Sequence, residues 1–198
     1  GNIRVLTPYL TERGSKKAGE YEKTLREMIL RALGGAWTEC PLLWIYNPQA
    51  VGLISQLPGW KVLYDCVDSF RAFSWSPPET ESWDRELTQK ADLVLTSAQQ
   101  LYEERVSLNP KTYLVPNAAD FEHFTTIQPE PVDIRPVQHP RLGFVGALYE
   151  WLDFGLLEKI ALSRPQWNLI LLGPAQPGLK LPQACNLHYL GTREYKTL

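Results

Sequence analysis

The 198-residue chain is poor in the features that assign a protein quickly. Its three cysteines, Cys40, Cys66 and Cys185, lie far apart without a paired spacing, so neither a disulfide framework nor a zinc ribbon is encoded. His123, His139 and His188 form no ligand cluster with them, and neither a metal nor a cofactor is expected. Unpaired thiols fit a reducing cytosol. Charge of one sign is also missing: 20 Lys and Arg against 22 Asp and Glu leave a net charge of −2. Nucleic-acid binding needs a basic face, so it is excluded as the main task. A long apolar run is absent too. The uncharged stretch 41–60 is broken by Pro41, Asn47, Pro48, Gly52, Pro58 and Gly59, so no transmembrane helix is expected. The start, Gly1-Asn2-Ile3-Arg4-Val5, has no signal-peptide pattern and reads as if cut inside a longer protein.

What is present is a core-forming composition, 44% apolar and 21% charged, with 16 prolines and 7 tryptophans. Short apolar runs recur at 3–7, 42–46, 61–65, 93–97, 112–115, 142–146, 169–173 and 187–191. Without alternation, they predict strands buried on both faces of parallel sheets. Tyr21, Leu25, Met28, Ile29 and Ala32 recur at helical spacing until Gly34-Gly35 stops them. Further helices are predicted at 79–91, 98–108 and 152–162. Strand and helix in alternation give βαβ units and an α/β fold. Four prolines in residues 125–140 leave neither helix nor central strand, so this stretch reads as an extended linker. The expected organisation is a partial domain at 1–124, the linker, and a second partial domain at 141–198.

Ligands of open α/β sheets bind beyond the carboxyl ends of strands, which selects four places. Asp65 and Asp68 follow the 61–65 run, where a carboxylate serves a substrate hydroxyl or, alternatively, caps a turn. Asn117 and Asp120 follow the 112–115 run in a string that equally suits a tight turn. Gly143 and Gly146 end a strand, where backbone N–H groups can approach a phosphate, although no full dinucleotide fingerprint is present. Phe70, Phe73 and Trp75 follow the aspartates and Tyr149 and Trp151 follow Gly146, as stacking faces for a sugar or as loop packing. The helix at 20–33 has balanced charge and reads as a solvated face, not a membrane anchor.

The order of these strings resembles a known family. Tyr64-Asp65-Cys66-Val67-Asp68, then residues 91–97, then Pro116-Asn117-Ala118-Ala119-Asp120, the linker, Gly143-Phe144-Val145-Gly146-Ala147-Leu148 and Leu172-Gly173-Pro174 are similar to group 1 glycosyltransferases of the GT-B fold. The likeness spans roughly 42–191 and is nearest to bacterial cell-surface polysaccharide enzymes, including the teichuronic-acid type. It implies two Rossmann-like units, both incomplete in this chain, and an enzyme that transfers sugar from a nucleotide-diphosphate sugar to a saccharide or lipid-linked acceptor. On this resemblance Asp68 and Asp65 are catalytic, and Gly146, Ala147 and Asn117 bind the donor. Phe70, Phe73 and Trp75 are then acceptor-side aromatics. The family's phosphate-contacting arginine falls on Ala147 and its lysine on Leu152, so neither cation is present. That departure keeps two alternatives open, a non-catalytic GT-B-like binding or regulatory module and a sugar-nucleotide epimerase. The family's nucleotide-gripping acidic motif would lie beyond Leu198, so the chain alone is expected to be inactive. A cytoplasmic location, a peripheral contact with the inner face of the membrane and a homodimer complete the expectations.

Overall fold

In the computed structural model the described residues are 19–34 and 41–197. The predicted strand at 3–7 and Cys40 lie outside them. The chain divides into two compact units, Gly1–Ala118 and Ala119–Leu198.

The first unit begins with helix α1, Glu20–Leu33, which ends as the sequence requires: Gly34 adopts φ 59° and its N–H bonds the carbonyls of Leu30 and Arg31. Then follow β1 (Leu42–Ile45), a 3-10 turn (Pro48–Gly52), α2 (Leu53–Gln56), β2 (Lys61–Cys66), α3 (Thr80–Lys90), β3 (Leu93–Thr96), α4 (Gln99–Val106) and β4 (Thr112–Leu114). The four strands are parallel and lie in sequence order, β1-β2-β3-β4. Right-handed crossovers that all step the same way put every helix on one face. Leu43, Ile45, Val62, Tyr64, Cys66 and Val94 meet Leu53, Leu87 and Leu101 there, with Leu25 and Ile29 of α1 packed against them. Each such buried leucine stabilises by about 1.5–3 kcal/mol.

The opposite face corrects the sequence reading. β1 alternates exposed and buried residues, and Leu42, Trp44, Tyr46 and Tyr113 are about half exposed. One-way winding covers one face only, so burial on both faces is approached in the middle strand β2 but not in β1.

The second unit contains α5 (Phe121–Thr125), β5 (Arg141–Val145), α6 (Phe154–Ser163), β6 (Asn168–Leu172) and β7 (Leu187–Gly191). Its parallel sheet also runs in sequence order, β5-β6-β7. Leu148, Ala161, Leu169, Leu171 and Leu187 form its core, joined by Phe144, Leu152 and Leu157. Residues 126–140 hold no helix or strand, and 132–136 within them form turns. The Arg141 guanidinium holds them, bonding the carbonyls of Val137 (2.6 Å) and Arg135 (3.3 Å) and the Glu130 carboxylate. Asn168 adds a bond to the Gln138 carbonyl at 2.8 Å.

Each unit also has a buried asparagine peg. Asn109 Nδ2 donates to the carbonyls of Thr88 and Ala91, and Asn186 Nδ2 to those of Ala161 and Trp167. Thr88 and Ala161 lie in the last turns of α3 and α6, so each peg satisfies a carbonyl that a helix end leaves unpaired.

Candidate functional site

Parallel strands bring their carboxyl ends to one edge of a sheet. In the first unit that edge holds a pocket of about 350 Å³. Its lining comes from Val67, Asp68 and Ser69 after β2, Ser97 and Ala98 after β3, Asn117 after β4, and Gln100, Leu101 and Glu104 of α4. Local bonds shape it: Ser97 Oγ donates to the Val67 carbonyl at 2.6 Å and Val115 N–H to the Thr96 carbonyl at 2.8 Å. Cys66 Sγ donates to the Asp68 carbonyl at 3.6 Å, and burial pushes that thiol's pKa up, so it stays protonated and inert.

The structure therefore brings Asp68 and Asn117 together. Asp65 is placed elsewhere. It lies inside β2 rather than past its end, and its Oδ2 accepts from the indole Nε1–H of Trp44 at 3.1 Å. Neither aspartate is the N-cap of a described helix; those positions next to the site belong to Ser69, Glu79 and Ala98.

A 3-10 turn, Phe70–Ala72, carries the aromatic residues away from Ser69. Phe70 meets Phe73 edge-on at 6.2 Å, and Phe73 stacks on Trp75 at 5.0 Å with 9° between the planes. Trp75 remains 63% exposed. Arg71 ties this segment to the pocket wall, 3.0 Å from Glu104 and 3.5 Å from Glu81. Sequence reasoning missed Ser97, Gln100, Glu104 and Arg71. The strand-end rule would have found Ser97, but nothing local marks a helical glutamate as a pocket residue.

Next to Glu104 runs a largely buried polar chain. The Tyr64 hydroxyl donates to Asp84 at 2.5 Å, and Asp84's other oxygen accepts from Arg105 at 2.7 Å. Burial, then the neighbouring Cys66 and Asp84, hold the Tyr64 phenol far above its ordinary pKa. The chain fastens β2, α3 and α4 beneath the strand ends.

In the second unit, Gly146 and Gly173 end β5 and β6. A Cβ on Gly173 would stand 1.9 Å from the Gly146 carbonyl oxygen, so only glycine lets the two strand ends approach this closely. The Gly146 N–H is used by the Leu172 carbonyl at 2.9 Å. No helix starts at the turn: α6 begins at Phe154, capped by the Asp153 carboxylate on Leu156 N–H at 2.8 Å. The helix dipole is thus several residues from Gly146, later than the predicted start at 152. Leu152 packs against the core, and both it and Ala147 are half-buried. Among the described residues no His, Cys, Asp and Glu cluster could hold a metal ion, and no helix is long and apolar enough to cross a membrane.

No protein-family profile matches the chain. It is 27% identical over 150 residues to TuaH of Bacillus subtilis (strain 168), a protein described provisionally as a teichuronic acid biosynthesis glycosyltransferase. The resemblance to glycosyltransferases holds in sequence. That match covers 67% of this chain and 37% of TuaH. In fold the chain resembles Anabaena Alr3699/HepE, whose crystal structure contains UDP-glucose, with a TM-score of 0.61 and 19% identity over 86% of this chain and 52% of that one. The chain thus spans about a third to a half of the proteins it matches. A Listeria monocytogenes protein described provisionally as a UDP-N-acetylglucosamine 2-epimerase overlaps at a TM-score of 0.48 and 14% identity, covering 92% of this chain and 54% of that one. The two α/β units are Rossmann-like and of the GT-B kind.

Proposed function

We propose that the whole protein transfers a sugar from a nucleoside diphosphate sugar to a saccharide or lipid-linked acceptor in cell-surface polysaccharide synthesis. The observation that carries this reading is the sequence match to TuaH. The UDP-glucose held by HepE supports a nucleotide-sugar donor. The first unit takes the acceptor and the second takes the donor. Asp68, in the strand-end pocket beside Asn117, accepts a hydrogen bond from the acceptor hydroxyl and takes its proton as the new bond forms. Holding that hydroxyl in place converts an encounter into an intramolecular step. On the donor side the loops after Gly146 and Gly173 offer backbone groups to the departing diphosphate. Such a reaction belongs in the cytoplasm, at the inner face of the membrane.

One observation favours a second reading, a non-catalytic binding module: Ala147 and Leu152 stand where the family has cations, and Leu152 packs half-buried against the core. An NMR titration of the 198-residue chain with UDP-glucose tests the donor assignment. Shifts should gather at Gly146, Ala147 and Gly173, with Kd roughly millimolar. Shifts confined to the first unit would overturn it.

A further inference from the structure

The main chain around Asp68 is bonded at each successive carbonyl. In the turn that leaves β2, the Val67 N–H donates to the Asp65 carbonyl at 3.1 Å, and the Ser97 N–H to the Cys66 carbonyl at 3.3 Å. The Ser97 hydroxyl donates to the Val67 carbonyl at 2.6 Å, and the Cys66 thiol, a weaker donor, to the Asp68 carbonyl at 3.6 Å. The Ala72 N–H takes the Ser69 carbonyl at 2.9 Å. The carbonyls of residues 65–69 are thus all occupied. The Asp68 side chain is the opposite case: it is exposed, and no described residue donates a hydrogen bond to its carboxylate.

That contrast bears on how the carboxylate is aimed. Bonds from neighbouring side chains would use oxygens that a substrate hydroxyl needs. A locked main chain fixes the direction in which the side chain leaves it and keeps both oxygens available. Most of the ties come from within the turn itself. Ser97 comes from the end of β3, 30 residues further on from Val67. Its N–H bond continues the β2–β3 ladder, in which Cys66 pairs with Thr96. Its hydroxyl reaches past the ladder to the peptide unit that joins Val67 to Asp68.

We infer that Ser97 is a positioning residue: its hydroxyl holds the turn so that the Asp68 carboxylate meets the acceptor hydroxyl, and it does not itself bind substrate. The inference rests on the glycosyltransferase reading, in which Asp68 takes the acceptor's proton.

The test compares Ser97→Ala, which deletes the hydroxyl and keeps the main-chain bond, with Ser97→Thr, which keeps both. In the whole protein, with UDP-glucose and a neutral oligosaccharide, Ser97→Ala should lower kcat about tenfold, or about 1.4 kcal/mol of barrier, with KM changed less than about threefold. Ser97→Thr should recover most of that loss. In an Asp68→Asn background the same Ser97→Ala change should cost less than about twofold, because the serine acts through the aspartate. The hold on the turn is read without turnover by relaxation NMR of the 198-residue chain. Order parameters of the Val67, Asp68 and Ser69 amides should lie near about 0.85, fall toward about 0.6 in Ser97→Ala and return in Ser97→Thr. An unaltered kcat in Ser97→Ala beside an inactive Asp68→Asn overturns the inference and leaves the role of Asp68 intact. So does a raised KM at unchanged kcat, a full tenfold cost in the Asp68→Asn background, or unchanged order parameters. No transfer by the unaltered whole protein, with order lost in Ser97→Ala, would sink the glycosyltransferase reading and leave the serine's hold on the turn standing.

Discussion

The indole N–H of Trp44 and the carboxylate of Asp65 bond across β1 and β2 at 3.1 Å. This makes Asp65 a strand residue that satisfies a tryptophan on the uncovered face of the sheet, two residues short of the pocket that Asp68 lines. An asparagine oxygen can accept the same bond. Asp65→Asn should therefore change stability by less than about 1 kcal/mol in urea unfolding and leave sugar transfer within about threefold.

The buried chain Tyr64–Asp84–Arg105 behaves differently. Arg105 is 4% exposed, and Asp84 supplies its closest countercharge. Asp84→Ala leaves the buried guanidinium with Glu104 alone, at 3.4 Å, and should cost about 2–4 kcal/mol. Tyr64→Phe removes one hydrogen bond and should cost about 1–2 kcal/mol. Urea midpoints of the two variants, compared at pH 7, check the order.

Asp92 should contribute to acid sensitivity, as should Asp120, Glu130 and Asp133, whose carboxyls are also held below their ordinary values. The Val62 N–H (2.9 Å) and then the Lys61 ammonium (3.0 Å) hold the Asp92 carboxyl below the ordinary value. A depressed carboxylate contributes stability above its unfolded pKa of about 3.9 and loses it as pH falls through the lower folded value. Stability should thus drop below about pH 4. Unfolding midpoints followed from neutral to acid pH should show a shallower drop for Asp92→Asn than for the unaltered chain.

The two positions lacking the family's cations should respond oppositely when the cations are restored. Ala147 lies in the turn after β5, so Ala147→Arg should tighten UDP-glucose about tenfold, the worth of one charge-assisted hydrogen bond. Leu152 packs against the second core, so Leu152→Lys should destabilise by about 2–4 kcal/mol. Calorimetric titration and thermal unfolding of both variants separate the effects.

Much of the scaffold was legible because strands buried in parallel sheets write continuous apolar runs. The runs at 93–97 and 169–173 fall within a residue of β3 and β6. Gly34 marked the end of α1 because its left-handed conformation excludes other residues at low cost. Short elements escaped: α2 is a single turn in an uncharged stretch, with Leu57 just past its end. The exposed face of β1 was illegible, since Leu42 and Trp44 look like core residues to any reading that lacks the strand order. Asp68 and Asn117 were found by the strand-end rule. Glu104 and Arg71 were not, because their place in the site depends on the packing of α4 beside β4 and on a salt bridge 33 residues long.

In the proposed function Asp68, and not Asp65, serves the acceptor of the transferred sugar. The most direct measurement incubates the whole protein with UDP-glucose labelled in the sugar and a neutral oligosaccharide, beside its Asp68→Asn and Asp65→Asn variants. Label should move to the oligosaccharide with the unaltered protein and with Asp65→Asn. It should fall about a hundredfold or more with Asp68→Asn at unchanged thermal stability, the range expected for loss of a general base. Label released only as free sugar, or an Asp68→Asn variant as active as the unaltered protein, would contradict this role for Asp68.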